Sequence, residues 1–137
     1  MGRVIAIDLG TKRTGLAVTD ILKITANPLE TIETSKLADY LTQYFKNEDV
    51  ETIVLGYPKS LDGTDNQMTP KVISLKSRLS KLFPDKKLVL VDERYTSKMA
   101  MQSMIAMGSK KKDRKEKAGN LDKISAAIIL QTYLEQL

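Results

Sequence analysis

The 137-residue chain contains neither cysteine nor histidine. Without cysteine there is no disulfide framework, thiolate nucleophile or zinc knuckle, a composition that suits a reducing compartment. Without histidine there is no Ser-His or Cys-His triad, no imidazole relay and no H-E-x-x-H zinc site. Any catalysis must rest on carboxylates, lysines and hydroxyls. Long apolar runs are also missing: no stretch approaches the roughly 20 residues of a membrane span, and the opening MGRVIAIDLG lacks a basic region followed by an apolar signal core. A cytoplasmic protein with no membrane partner is expected.

With 42% hydrophobic and 28% charged residues, four prolines and seven glycines, the composition is that of a globular protein rather than a fibrous or disordered one. The length predicts a single domain over 1–137, with one core. The formal charge of +5 is unevenly placed. Residues 110–117, KKKDRKEK, hold six basic and two acidic residues, so almost all of the excess sits in one segment. A local basic patch of this kind suits a polyanion, although clustered lysines also serve solubility.

Arg3 to Leu9 and Gly15 to Thr19 are β-branched-rich runs joined by a Gly-Thr-Lys turn, a predicted hairpin. Ile24 to Ile32 reads as a strand that Pro28 confines to a sheet edge. Ser35 is a candidate cap for a helix carrying Leu37, Tyr40, Leu41, Tyr44 and Phe45. Thr52 to Leu55 and Leu88 to Val91 are continuous apolar runs of the buried parallel type. Between them, Val72, Leu75, Leu79 and Leu82 mark a helix closed by Pro84. Thr96 or Ser97 can cap a methionine-rich helix reaching about Met107, whose methionines read as core filler. Asn120 can cap a last helix, Leu121 to Leu137, apolar on nearly every face between Ile124 and Leu130 and so expected to be buried. An α/β layer fold follows.

Three acids stand at element ends. Asp8 closes the apolar run Val4 to Ile7, Glu93 follows another such run, and Asp122 sits in the first turn of the last helix, on the face of Ala126, Ile129 and Tyr133. Each has an ordinary alternative, a turn aspartate or a dipole-favoured acid. Together they fit oxygen ligands for a hard divalent ion, Mg²⁺ or Mn²⁺, acting on a phosphodiester. Strand parity sends Asp92 and Glu93 to opposite faces and leaves open which of them joins Asp8. Lys12, Arg13 and Arg94 lie beside the acids and can grip phosphates.

In this setting Asp8-Leu9-Gly10-Thr11-Lys12-Arg13-Thr14-Gly15 through Asp20 resembles the opening motif of the bacterial YqgF (RuvX) family, known as pre-16S rRNA nucleases and Holliday junction resolvases. Gly56-Tyr57-Pro58 with Asp62-Gly63-Thr64, Asp92-Glu93-Arg94 with Thr96, and Asp122 with Ala126-Ala127 are similar to its later motifs, in order and over essentially the whole chain. The resemblance implies an RNase H-like mixed sheet of about five strands flanked by helices. Asp8, Glu93 and Asp122 would be the metal-binding catalytic acids, and Gly10 and Gly15 would permit tight turns or close backbone approach. Gly10, Thr11, Lys12, Arg13, Arg94 and Lys110, Lys111 and Lys112 are the expected substrate contacts. The implied activity is hydrolysis of structured RNA at the 5′ end of precursor 16S rRNA, by a monomer or weak homodimer. Resolution of branched DNA and non-catalytic nucleic-acid binding are the alternatives. Ile7 to Thr11 also resembles the first phosphate loop of actin-type ATPases, but that architecture needs two such domains.

Overall fold

The computed structural model describes residues 2–57, 68–92 and 118–137, with only the helical backbone for 118–122. Five strands form one sheet: β1 (Arg3–Asp8), β2 (Arg13–Thr19), β3 (Ala26–Glu33), β4 (Val50–Tyr57) and β5 (Lys87–Asp92). Their order is β3-β2-β1-β4-β5. The β1–β2 and β2–β3 pairs are antiparallel, as short connections demand, whereas β4 and β5 join parallel to β1 through helical crossovers. β3 is an edge strand, as Pro28 requires, and the register with β2 slips beside that proline, where Ala17 pairs with Pro28 and Leu16 with Glu30.

Three helices are described: α1 (Leu37–Asn47), α2 (Thr69–Leu82) and α3 (Ala118–Glu135). The period-2 alternation of β1 decides which covers which face. Val4 and Ala6 pack with Val54, Val91 and the α3 residues Ala126, Ala127, Ile129, Leu130 and Tyr133. Ile5 and Ile7 point the other way, into a cluster with Leu37 and Leu41 of α1 and Val72 and Leu79 of α2. The central strand is therefore buried on both faces, which is why its sequence is continuously apolar rather than alternating. Residues 126–130 of α3 are all buried, as their uniform hydrophobicity requires.

Two capping expectations fail. A single 3₁₀ turn, Thr34–Lys36, runs straight from β3 into α1, so Ser35 lies inside it and Lys36 occupies the cap without a side-chain bond. α3 already includes Ala118, which puts Asn120 within the helix rather than at its cap. α2 starts earlier than its apolar stripe, at Thr69, with Pro70 in the first turn, where a missing N–H is tolerated. The expected methionine-rich helix and its caps lie outside the described residues. No helix among the described residues is long and apolar enough to cross a membrane.

The β2–β3 turn is held by Asp20, whose carboxylate accepts from the amides of Ile24 (2.8 Å) and Thr25 (2.9 Å) while Lys23 adopts φ 60°. The Thr25 amide is the main reason that the Asp20 carboxyl titrates below its ordinary value. The contribution of Asp20 is therefore present above the unfolded pKa of about 3.9 and is lost as pH falls through the lower folded value. Asp20→Asn should flatten the stability profile below about pH 4, read from urea midpoints. Leu41→Ala, at a fully buried site, should cost about 2–5 kcal/mol, whereas Leu22→Ala, at 69% exposure, should change stability by about 0.5 kcal/mol or less.

Candidate active site

β1, β4 and β5 all end at one edge of the sheet. In register, Ile7 lies beside Leu55 and Leu55 beside Leu90, so the strands finish at Asp8, Tyr57 and Asp92. Asp8 shares the parity of Val4 and Ala6 and so faces the α3 side, where it is half-buried. Asp92 shares the parity of Leu88 and Leu90, which pack on the α1/α2 side. The alternation left open by the sequence is thus resolved for one of the two acids: Asp92 belongs to the face opposite Asp8. Val89 and Val91 lie on the α3 side.

The direction of α3 places its beginning. Tyr133, near the helix C-terminus, borders one depression with Val4, Thr52 and Lys87, at the starts of the three parallel strands. α3 therefore runs antiparallel to β1, and its first turns lie toward the end marked by Asp8. The eleven residues from 133 back to 122 rise about 16 Å, and the four from Val4 to Asp8 about 13 Å, so helical position 122 comes roughly level with Asp8. Position 122 also shares a helical face with Ala126, Ile129 and Tyr133, all packed on the sheet.

The loop from Asp8 to β2 is held from below by Thr34. The Thr34 hydroxyl donates to the Gly10 carbonyl at 2.7 Å, and its amide donates to the Lys12 carbonyl at 2.9 Å. Having given its only proton to Gly10, Thr34 Oγ accepts from the fully buried Thr14 hydroxyl at 2.8 Å. Gly10 is required for another reason: a Cβ there would lie 2.2 Å from the Arg13 carbonyl oxygen. The expected role of Gly10 in close backbone approach is met, and Gly15 sits in β2 opposite Asp8. Thr11 and Lys12 are exposed on this loop, and Arg13 opens β2 opposite Glu33. Thr34 escaped the sequence reading because nothing near it announces a contact with a loop 24 residues earlier.

Glu93, Arg94 and Lys110, Lys111 and Lys112 lie outside the described residues, as does the side chain of Asp122. Among the described residues no three acids converge as metal ligands. What the described residues supply toward such a site is one half-buried carboxylate, aimed to the α3 side at a strand terminus, an oxygen donor suited to a hard cation.

A mixed five-stranded sheet with this order, helices on both faces and an acid ending the central strand defines an RNase H-like fold. Among solved structures, that of Thermus thermophilus RuvC in complex with a Holliday junction substrate superposes with a TM-score of 0.57 at 15% identity, over 99% of this chain and 96% of that one. The family model described as RuvX, Holliday junction resolvase, matches residues 2–136. Relatives named "Putative pre-16S rRNA nuclease" include one from Christiangramia forsetii, 51% identical over 98% of both chains, and one from Phocaeicola vulgatus, 47% identical over 98% of this chain and 96% of that one. The chain belongs to the RuvX (YqgF) family.

Two substitutions test the loop. Thr34→Val should cost about 1–2 kcal/mol by leaving the Gly10 carbonyl and the Thr14 hydroxyl without their partner. Gly10→Ala should shift the amide resonances of residues 11–13 by more than those of the β4 core, because the Arg13 carbonyl must move.

Proposed function

We propose that this chain is a metal-dependent nuclease that hydrolyses phosphodiester bonds in structured RNA, trimming the 5′ end of precursor 16S rRNA. The observation that carries the reading is the convergence of direction: β1 turns Asp8 to the α3 side, and α3 begins at the same end of the sheet. Glu93 is taken as the second acid from the Asp92-Glu93-Arg94 motif that the chain shares with the family. The substrate class rests on the names carried by relatives at 51% and 47% identity.

Asp8, Glu93 and Asp122 would hold one or two divalent ions, Mg²⁺ or Mn²⁺, which when bound activate a water and stabilise the departing oxygen. The rest of the work falls to the chain's own groups. Asp8 presents a carboxylate fixed by a central strand, with little reorganisation to make. The β1–β2 loop presents Thr11, Lys12 and Arg13 to the sugar-phosphate chain. Lys110, Lys111 and Lys112, with Arg94, add positive charge that draws in the polyanion.

Asp8→Asn should reduce cleavage of precursor 16S rRNA by at least about a hundredfold in Mg²⁺ or Mn²⁺ while changing RNA affinity little. Cleavage that survives it overturns the reading. Lys110, Lys111 and Lys112 changed together to Ala should weaken binding and lower the slope of log affinity against log salt by up to about 2, at about 0.7 per contact on single-stranded RNA. A second reading, resolution of four-way DNA, is favoured by the RuvC–junction complex on the same fold and by the family description. Cleavage of junction DNA and precursor rRNA side by side ranks the two.

A further inference from the structure

Among the described residues a cavity with a mainly apolar lining lies not on the acid side of the sheet but on the other, between α1, α2 and the β1–β2 loop. It encloses about 440 Å³, within the range of small-molecule sites. Leu37, Leu75 and Leu79 line its apolar part, and Gly10 and Thr11 form one wall. Along the opposite wall Lys71, Ser74 and Arg78 recur at i, i+3 and i+7, one face of α2. Lys71 and Arg78 are exposed, and neither is held in an ion pair among the described residues. A second, shallower depression shares Thr11 and Ser35 with this cavity and continues past Lys12 and Arg13.

An apolar interior rimmed by hydroxyls and cations matches a ligand with a flat, weakly polar body and an anionic edge. A wall built from the residues directly after Asp8 means that the occupant lies next to whatever passes the end of β1. We infer that this cavity receives an unpaired nucleotide of the substrate strand, flanking the bond to be cut. Its base enters against Leu37, Leu75 and Leu79, and its phosphates meet Lys71 and Arg78 on one side and Lys12 on the other. This subsite deepens the nuclease reading and rests on it. It makes the enzyme selective for a single-stranded segment beside the cleavage point, through base burial and charge without reading a particular base.

The test is binding by the full chain without divalent ions, so that it does not depend on cleavage. The probes are a labelled ten-nucleotide single-stranded RNA, the same strand made abasic throughout, and a blunt duplex. Ser74→Trp, at an exposed position, fills the cavity from α2, and Ser35→Trp fills it from the opposite wall should the first variant unfold. Either should weaken the base-bearing strand about fivefold and leave the abasic strand and the duplex unchanged. Lys71→Ala with Arg78→Ala should weaken both single strands and lower the salt slope by about 1.4. The inference is overturned if a folded cavity-filling variant binds all three probes as the parent does, or weakens all three equally. If the base-bearing strand alone is affected yet no RNA is ever cleaved in Mg²⁺ or Mn²⁺, the cavity stands and the nuclease reading falls. If Asp8→Asn abolishes cleavage while filling the cavity does nothing, the reverse holds.

Discussion

A central strand with both faces buried leaves its residues one choice each, up or down, and β1 makes that choice for the whole molecule. Val4 and Ala6 against α3, and Ile5 and Ile7 against α1 and α2, are each at most 1% exposed. A slip of one residue would send the bulky isoleucines to the close-packed alanines of α3 and lose burial on both faces, at about 1.5–3 kcal/mol for each large side chain. The register is therefore held by the core. The face that Asp8 occupies, as the first charged position after the apolar run, follows from that register.

The same constraint separates two kinds of chemistry at one end of the sheet. On the α3 side lies a carboxylate set by the pleat. On the α1/α2 side lies a cavity whose cations come from α2 and whose hydroxyls come from the β1–β2 loop, the 3₁₀ turn and α2. Between them the loop from Gly10 to Lys12 crosses the strand ends, tied down by Thr34 through two hydrogen bonds.

The strands were legible because they are apolar and end in glycine, proline or charge: β1, β4 and β5 appear within two residues of their expected bounds, and Pro28 marked the edge correctly. The helices were legible from their stripes, but their beginnings were not. Ser35 and Asn120 are good capping residues that the backbone passes by: Ser35 lies inside the 3₁₀ turn and Asn120 within α3. Of the candidate site, Asp8 and Gly10 carried clear signals, a charge closing an apolar run and a glycine in a tight turn. Thr34, Lys71 and Arg78 carried none, because Thr34 bonds residues 20 to 24 positions earlier and the two cations line a cavity with Gly10 and Thr11, far from them in sequence.

Sequence alone bounded the chemistry open to this protein: with no histidine or cysteine, any catalysis rests on carboxylates, hydroxyls and cationic side chains, and four ordered motifs resembled those of its family. Periodicity also marked much of the core, including Leu41, Val72 and Leu79, although Leu82 of the expected α2 stripe is 49% exposed. It did not determine which side of the sheet each end-of-strand acid occupies, because alternation is a relative property until a helix is laid on one face. Only the packing of α3 over Val4 and Ala6 decided that Asp8 looks toward the last helix and Asp92 away from it. Only the packing of α2 put Lys71 and Arg78 on the wall of a cavity that Thr11 also lines.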